Sequence, residues 1–357
     1  MYIKKLFDKD YTIIKKLLKS NNSKLPSIES WKSFKDLTLK NKSFVRDGLF
    51  KDKKLIGYHS YIIKFIVFKK KKYKVLISSN LNVSKQNRNG SFILINDFFR
   101  KNCDIFLTTT ANKNSSKIWQ FFKGVGVNDI STKYTIYQIT DYSKWIENFL
   151  IKKKITFIPK FLINFFGVYF KFYYKPKIKN NSIDYKLNFK MINKNSLLLE
   201  KFNKDFETKC KFPVEQRSNF FLMKYINSLE LNKKKVFIIQ VLDKKKMIGY
   251  FTLVKEKYEN IDRIFLGELR ILGKYEKYIN EILKYAKKIG ELNRCTYMFY
   301  KHLSPSLIRK IDMRNFFIFK QNFNPYILKL NTKKSYILRK YVKKKWKTSY
   351  FDGDCLL

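Results

Sequence analysis

Apolar residues along this chain fall into short runs separated by lysine-rich turns, and their spacing predicts alternating strands and helices. Val75-Leu76-Ile77 leads into Ser79-Asn80-Leu81-Asn82-Val83, a buried strand that ends in alternation. The polar loop Ser84–Gly90 follows and opens a helix from Ser91. Beyond it the pattern predicts a strand near Ile105–Thr108, a helix from Lys113 and a strand at Tyr134–Ile139. A second series runs in the same order. It has a strand at Ile264–Leu272, a helix at Lys274–Ile289, a strand near Cys295–Phe299, a helix from Pro305 and a strand at Tyr326–Leu330. Ser304-Pro305 is a strong helix start, with Ser at the N-cap and Pro at the first position. In the first helix of this series Tyr275, Tyr278, Ile279, Ile282, Leu283, Ala286 and Ile289 share one face, which marks them as core.

The two series are each preceded by the same short pattern. Asp52-Lys53-Lys54-Leu55-Ile56-Gly57-Tyr58 recurs as Asp243-Lys244-Lys245-Lys246-Met247-Ile248-Gly249-Tyr250, with one extra lysine. Each copy is a charged turn running into an apolar strand, and so a hairpin. Together with the shared order of elements this predicts two tandem copies of one α/β unit, each a mixed sheet flanked by helices. The expected division is a first domain over 1–150, an aromatic and lysine-rich segment over 151–189, and a second domain over 190–357. Within the middle segment Ile155–Tyr174 is apolar but interrupted by Pro159, Lys160, Asn164 and Lys171, so a spanning helix is not expected. A helix packed between the domains is the expectation there; an interfacial helix at an anionic membrane is the alternative.

Composition changes this picture in one respect. A chain of 357 residues with 45% apolar and 17% aromatic residues can build two cores and is not disordered. Its formal net charge of +49 points to acidic partners such as nucleic acid, membrane or a polyanionic cofactor. Lysine dominates over arginine and is spread along the whole chain, alongside much Asn, Ile, Phe and Tyr, all encoded by A/T-rich codons. Much of the charge therefore reflects coding bias, and specific nucleic-acid readout, which leans on Arg, is not expected. The N-terminus has no long apolar segment, so a cytoplasmic location is expected. Cys103, Cys210, Cys295 and Cys355 are far apart and form no CxxC, so neither a disulfide framework nor a metal site is expected. His59 and His302 stand in no nucleophile or metal pattern, and no G-x-S-x-G or Walker loop occurs.

A strand, a short loop with Arg88 and Gly90, and a helix start also make a candidate pyrophosphate cradle, because the first amides of a helix are free donors. Residues 10 to 140 resemble the acyl-CoA-binding core of the GCN5-related N-acetyltransferase superfamily. The family signature is Gln/Arg-x-x-Gly-x-Gly/Ala, and Arg88-Asn89-Gly90-Ser91-Phe92-Ile93 stands in that window. Arg88 matches; Ser91 and Ile93 replace small residues that let the backbone approach phosphates. Asn112-Lys113-Asn114-Ser115-Ser116-Lys117-Ile118-Trp119 resembles a second motif, Asn-x-x-Ala/Ser-x-x-aliphatic-Tyr. The family Tyr often protonates the departing thiolate, a task the Trp119 indole cannot perform. The resemblance implies that Leu81, Asn82 and Val83 hold the thioester arm, that Arg88, Asn89, Gly90, Ser91 and Phe92 hold the pyrophosphate, and that Asn112 orients the cofactor. It names no general base. The second copy has only Gly273-Lys274 after its strand and is expected to be degenerate, with the fold kept and acyl-CoA binding lost.

The function this implies is transfer of an acyl group, acetyl above all, from acyl-CoA to an amine or hydroxyl of a small or saccharide acceptor, without a metal. The ending Trp346–Asp354 resembles that of tandem proteins encoded near polysaccharide-synthesis genes. Two other classes stay open: a non-catalytic scaffold, favoured by Ser91, Ile93 and Trp119, and an aminoacyl-tRNA-dependent transferase, which would suit the positive charge.

Overall fold

The computed structural model describes residues 1–21, 44–109, 111–127, 134–155, 157–173, 186–192, 196–210, 213–216, 226–227, 230, 233–258, 261–301, 303, 305–313, 316–320 and 327–342. His302, Ser304, Tyr326, Trp346–Asp354 and Cys355 lie outside them. The first half contains β1 (Tyr2–Lys5), α1 (Tyr11–Ser20), β2 (Phe44–Lys51), β3 (Lys54–Phe68), β4 (Lys71–Val83), α2 (Gly90–Phe99), β5 (Ile105–Thr108), α3 (Lys113–Phe121), β6 (Val125–Gly126) and β7 (Tyr134–Ile139). Two helices follow, α4 (Tyr142–Lys152) and α5 (Lys160–Tyr173). Then come β8 (Asn188–Met191), α6 (Leu197–Lys209), β9 (Val214–Glu215), β10 (Lys235–Asp243), β11 (Lys246–Tyr258) and β12 (Ile261–Ile271). The last elements are α7 (Ile279–Leu292), β13 (Tyr297–Lys301), α8 (Pro305–Ile308), β14 (Phe317–Lys320), β15 (Ile327–Leu330) and α9 (Arg339–Val342).

The hairpins form where the charged turns predict them. Asp52 and Lys53 both take positive φ, 49° and 60°, the geometry of a two-residue turn whose twist matches the flanking strands. The two copies of the pattern occupy matching strands. Gly57 of β3 faces Leu49 and Val83, and Gly249 of β11 faces Val241 and Ile271. A register shift follows each glycine on the incoming strand, and a bulge lies on each outgoing strand. Even a side-chain bond repeats: the amide of Asn80 donates to Ser60 Oγ at 3.1 Å, and that of Glu268 to Thr252 Oγ1 at 2.8 Å. A methyl group on Gly249 would lie 2.6 Å from the Arg270 carbonyl oxygen, which explains why glycine stands at this crossing.

The chain thus forms two mixed sheets of one plan, in the order β1-β2-β3-β4-β5-β15-β6 and β14-β7-β13-β12-β11-β10-β8. They do not divide along the sequence at residue 150 or 190. β7, expected to complete the first unit, pairs with β13 and β14 of the second sheet. β15, from the far end of the chain, pairs with β5 and β6 of the first. Each exchanged strand is stitched down by the residues just after it. Thr140 donates to the Cys295 carbonyl beside β13, and Thr332 Oγ1 donates to Asp104 at 2.9 Å beside β5. Contiguous periodicity could not reveal the exchange, because pairing partners are chosen by the sheets and not by sequence distance.

Helices cover both sheets. On the first, α2 and α3 bury Ile95, Phe98, Phe99 and Trp119 against Tyr61, Leu76 and Phe106, while α1 packs Ile14, Leu17 and Leu18 on Phe50, Leu55 and Tyr58. On the second, α7 inserts Ile279, Ile282, Leu283, Ala286 and Ile289 into the core, as its stripe predicts. That helix begins later than expected, since Gly273–Tyr278 forms a 3-10 turn before it. Leu199, Phe202 and Phe206 of α6 join a cluster holding Tyr250 and Phe265 of the second sheet and Ile62 of the first, so the two units share a core.

The expected interdomain helix is different in position. α5 does not lie buried between the units. It packs on α4 along a narrow seam at Ile163 and Gly167, and most of its aromatic side chains are exposed. Among the described residues no helix is long and apolar enough to cross a membrane.

Candidate functional site

The most distinctive place in the first unit is the fork between β4 and β5. The strands run parallel from Val75↔Ile105 to Ser78↔Thr108 and then part. Past the fork β4 bulges and continues through Leu81, Asn82 and Val83, which pair on one side with His59, Tyr58 and Gly57 of β3. Their other edge has no strand partner among the described residues. Asn21 Nδ2 donates to the Val83 carbonyl at 3.0 Å, and the remaining backbone groups of such an edge can pair with an extended ligand. At the fork itself Ser79 Oγ and Thr109 Oγ1 are buried and find no hydrogen-bond partner among the described residues. Two orphaned hydroxyls on the two diverging strands are costly in a closed core, since each forfeits its bonds to water.

Groups around the fork are held in fixed protonation states. His59 is buried with Nε2 2.8 Å from Ser78 Oγ, and burial first, then the Lys101 charge, lower its pKa from 6.5 to about 3. A neutral, enclosed imidazole is a structural group, in keeping with its lack of any catalytic pattern. Burial also raises the Tyr58 hydroxyl to about 12, against the nearby Arg46 charge and a hydrogen bond with Asn82. Burial opposes the charge of Lys101, but bonds of 2.9 Å to both Asp47 and Asp97 outweigh it and keep the ammonium protonated. That pair of bonds pins the end of α2 to β2.

The residues after β4 are arranged less openly than their sequence implies. Ser84 starts a 3-10 turn over Lys85–Asn87, so the helical run begins before Gly90. Consequently the amides of Ser91 and Phe92 are already bonded, at 3.0 and 3.1 Å, to the carbonyls of Arg88 and Asn89. Gly90 is buried against the sheet, where a Cβ would sit 2.7 Å from Leu49 Cδ2, so a larger residue there would require the Leu49 side chain to shift. Phe92 is exposed and meets the Phe121 ring edge-on at 5.7 Å. Arg88 and Asn89 are exposed. Asn112 is the N-cap of α3, and its Oδ1 accepts from the amides of Asn114 and Ser115 at 3.0 and 2.9 Å, so this oxygen is engaged in capping. Trp119 is buried against Phe98 and Phe99 and belongs to the core. The fork therefore brings Leu81, Asn82 and Val83 together with the turn carrying Arg88. The sequence places Ser79 in the lead-in strand but gives its hydroxyl no role, and it does not single out Thr109; the bulge beside them is a property of strand pairing.

The corresponding place in the second unit carries different chemistry. Glu268 and Arg270 stand where Asn80 and Asn82 stand in the first. Tyr250 donates to Glu268 at 2.9 Å, and Arg270 reaches Glu268 at 3.0 Å and Glu207 of α6 at 3.3 Å. All four are buried, which commits this strand to α6.

By sequence the chain matches no protein-family model and no curated protein. Solved structures do resemble it. A probable N-acyltransferase from Enterococcus faecalis aligns with a TM-score of 0.58 at 11% identity, over 94% of this chain and 73% of its own. A GCN5-related N-acetyltransferase from Anabaena variabilis aligns with a TM-score of 0.58 at 9% identity, over 94% and 74%. The fold is that of the GCN5-related N-acetyltransferase superfamily. Two such mixed sheets stand in tandem here. N-myristoyltransferase from Saccharomyces cerevisiae, solved with bound myristoyl-CoA, also aligns, with a TM-score of 0.55 at 14% identity over 92% and 78%.

Proposed function

We propose that this protein transfers an acyl group from acyl-CoA to an amine or hydroxyl acceptor, with the cofactor at the first unit. The observation that carries the reading is the fork, where the far edge of β4, which has no strand partner among the described residues, and the hydroxyls of Ser79 and Thr109, which find no hydrogen-bond partner there, offer polar groups to a pantetheine arm. Arg88, exposed on the following turn, supplies a cation for the pyrophosphate. The engaged amides of Ser91 and Phe92 move the expected contact away from Asn89–Phe92 and toward the Arg88 side chain and the turn before it. In the reaction the acceptor attacks the thioester carbon, the C–S bond breaks, and the CoA thiolate leaves and takes up a proton. Trp119 supplies no proton for that step. The Glu268–Arg270–Glu207 network supports assigning the second unit a structural part and no CoA. A small or saccharide acceptor and an acetyl donor remain the finer reading, carried by the resemblance.

A second reading, a scaffold of the same fold without catalysis, is favoured by the capped Asn112, the packed Gly90 and the buried Trp119. Calorimetric titration with CoA separates the two. The acyltransferase reading expects saturable binding of one CoA, weakened by about 1–3 kcal/mol in Arg88→Glu and weakened in Thr109→Val. Absence of binding at millimolar CoA would leave the scaffold. Strongly salt-dependent tRNA binding in its place would favour the aminoacyl-tRNA-dependent reaction.

A further inference from the structure

The α4–α5 hairpin contributes almost nothing to either core. α4 has no buried residue, and α5 buries only Ile163 and Gly167. The seam between them is close: a Cβ on Gly167 would lie 2.9 Å from the Ser143 Cα. The opposite face of α5 is turned outward, with Phe161 69% and Phe165 65% exposed and Val168, Tyr169 and Phe172 exposed beside them. At 3.6 residues per turn these five fall within an arc of about 100°. That arc lies opposite the Ile163–Gly167 seam. Lys160 and Lys171 fall together on the flank between seam and arc, at the level where an apolar face would end. α4 turns another side, Trp145 and Phe149, onto Phe317 around a groove of about 400 Å³.

A helix that leaves its large apolar side chains in water needs something to cover them. We propose that this face of α5 docks in the interfacial layer of an anionic phospholipid membrane, with the helix lying parallel to the surface. Charge decides the kind of occupant. From residue 148 to residue 183 the sequence contains no Asp or Glu, while lysines stand at 152, 153, 154, 160, 171, 175, 177 and 179. Lysine is depleted in the cores of protein interfaces, and a protein partner would have to pair or bury this one-sign surround. At a bilayer the same arrangement is satisfied without pairing, since phenyl rings enter the acyl boundary while lysine stems reach back to anionic headgroups. α5 is 14 residues long and carries a lysine at its start and near its end, which suits lying on the surface and not crossing it. This inference does not rest on acyl transfer.

Co-sedimentation of the full chain with vesicles tests it. Vesicles of phosphatidylcholine with 30% phosphatidylglycerol should carry down at least tenfold more protein than pure phosphatidylcholine vesicles. Phe161→Asp combined with Phe165→Asp and Val168→Asp should abolish that difference while leaving the circular dichroism spectrum and CoA binding unchanged. An environment-sensitive dye on Phe165→Cys gives a readout that does not need the triple variant to fold, and should shift to the blue on anionic vesicles alone. Three results would overturn the proposal: equal sedimentation with both vesicle types, a triple variant that binds as the parent does, or a dye that stays in water while the protein sediments. Burial of the dye in a dimer without lipid would assign the face to a second copy of the chain.

Discussion

Acidification should destabilise the first unit through His59. The ring is 1% exposed, meets Phe98 edge-on at 4.8 Å, and has its pKa lowered from 6.5 to about 3 by burial and then by the Lys101 charge. In the unfolded chain the same side chain titrates near 6.5. Between these values the unfolded state binds a proton that the folded state refuses, so stability rises with pH across that window. The contribution of the neutral ring is complete above about pH 6.5 and is lost at up to about 1.4 kcal/mol per pH unit as pH falls toward 3. At pH 5 the loss is about 2 kcal/mol, a large share of the roughly 5–15 kcal/mol that a domain possesses. The assay is urea unfolding followed by circular dichroism at pH 7.5 and pH 5.0, on the parent and on His59→Asn. Asparagine keeps a hydrogen-bonding group toward Ser78 and does not titrate. Carboxylates contribute to both proteins alike, so the difference between the two pH effects isolates the histidine. The parent should lose about 2 kcal/mol more than the variant. Equal losses would show that the imidazole is solvated or already protonated in the folded protein, and would refute the reasoning.

Three further outcomes follow from the geometry. Asn112→Ala should cost about 1 kcal/mol of stability through the lost N-cap and leave CoA affinity unchanged; a fall in affinity with unchanged stability would restore its role at the cofactor. Gly167→Ala should open the α4–α5 seam at a cost of about 1–3 kcal/mol, read as faster proteolysis within residues 155–173, while identical digestion would show that the seam is loose. Residues 1–150 expressed alone should fail to give a cooperative unfolding transition and should gain one on co-expression with 151–357, because β15 completes the first sheet; a folded, monomeric fragment would count against the exchange.

The strands and helices themselves were legible in the sequence wherever one face of an element is buried. Ile105–Thr108, Tyr134–Ile139 and the start at Lys113 coincide with their expected bounds, because periods of two and 3.6 are local consequences of burial. The duplication was legible as well: Gly57 and Gly249 sit at the same crossing of matching strands, where the backbone of the next strand comes close. The site was legible only in part. Leu81–Val83 and Arg88 do lie beside the fork, but nothing in their order reveals that the Ser91 and Phe92 amides are bonded, that Gly90 faces Leu49, or that Asn112 caps a helix. Each of these depends on where the 3-10 turn begins and how closely the helix meets the sheet. The tertiary structure alone decided which strands complete which sheet, because hydrogen-bond partners can come from opposite ends of the chain at the same energy per bond. It also decided which apolar runs are core. The stripe of α7 and the aromatics of α5 are both apolar helix faces in sequence; the first is covered by a sheet, whereas Phe161, Phe165 and Tyr169 of the second stay exposed among the described residues.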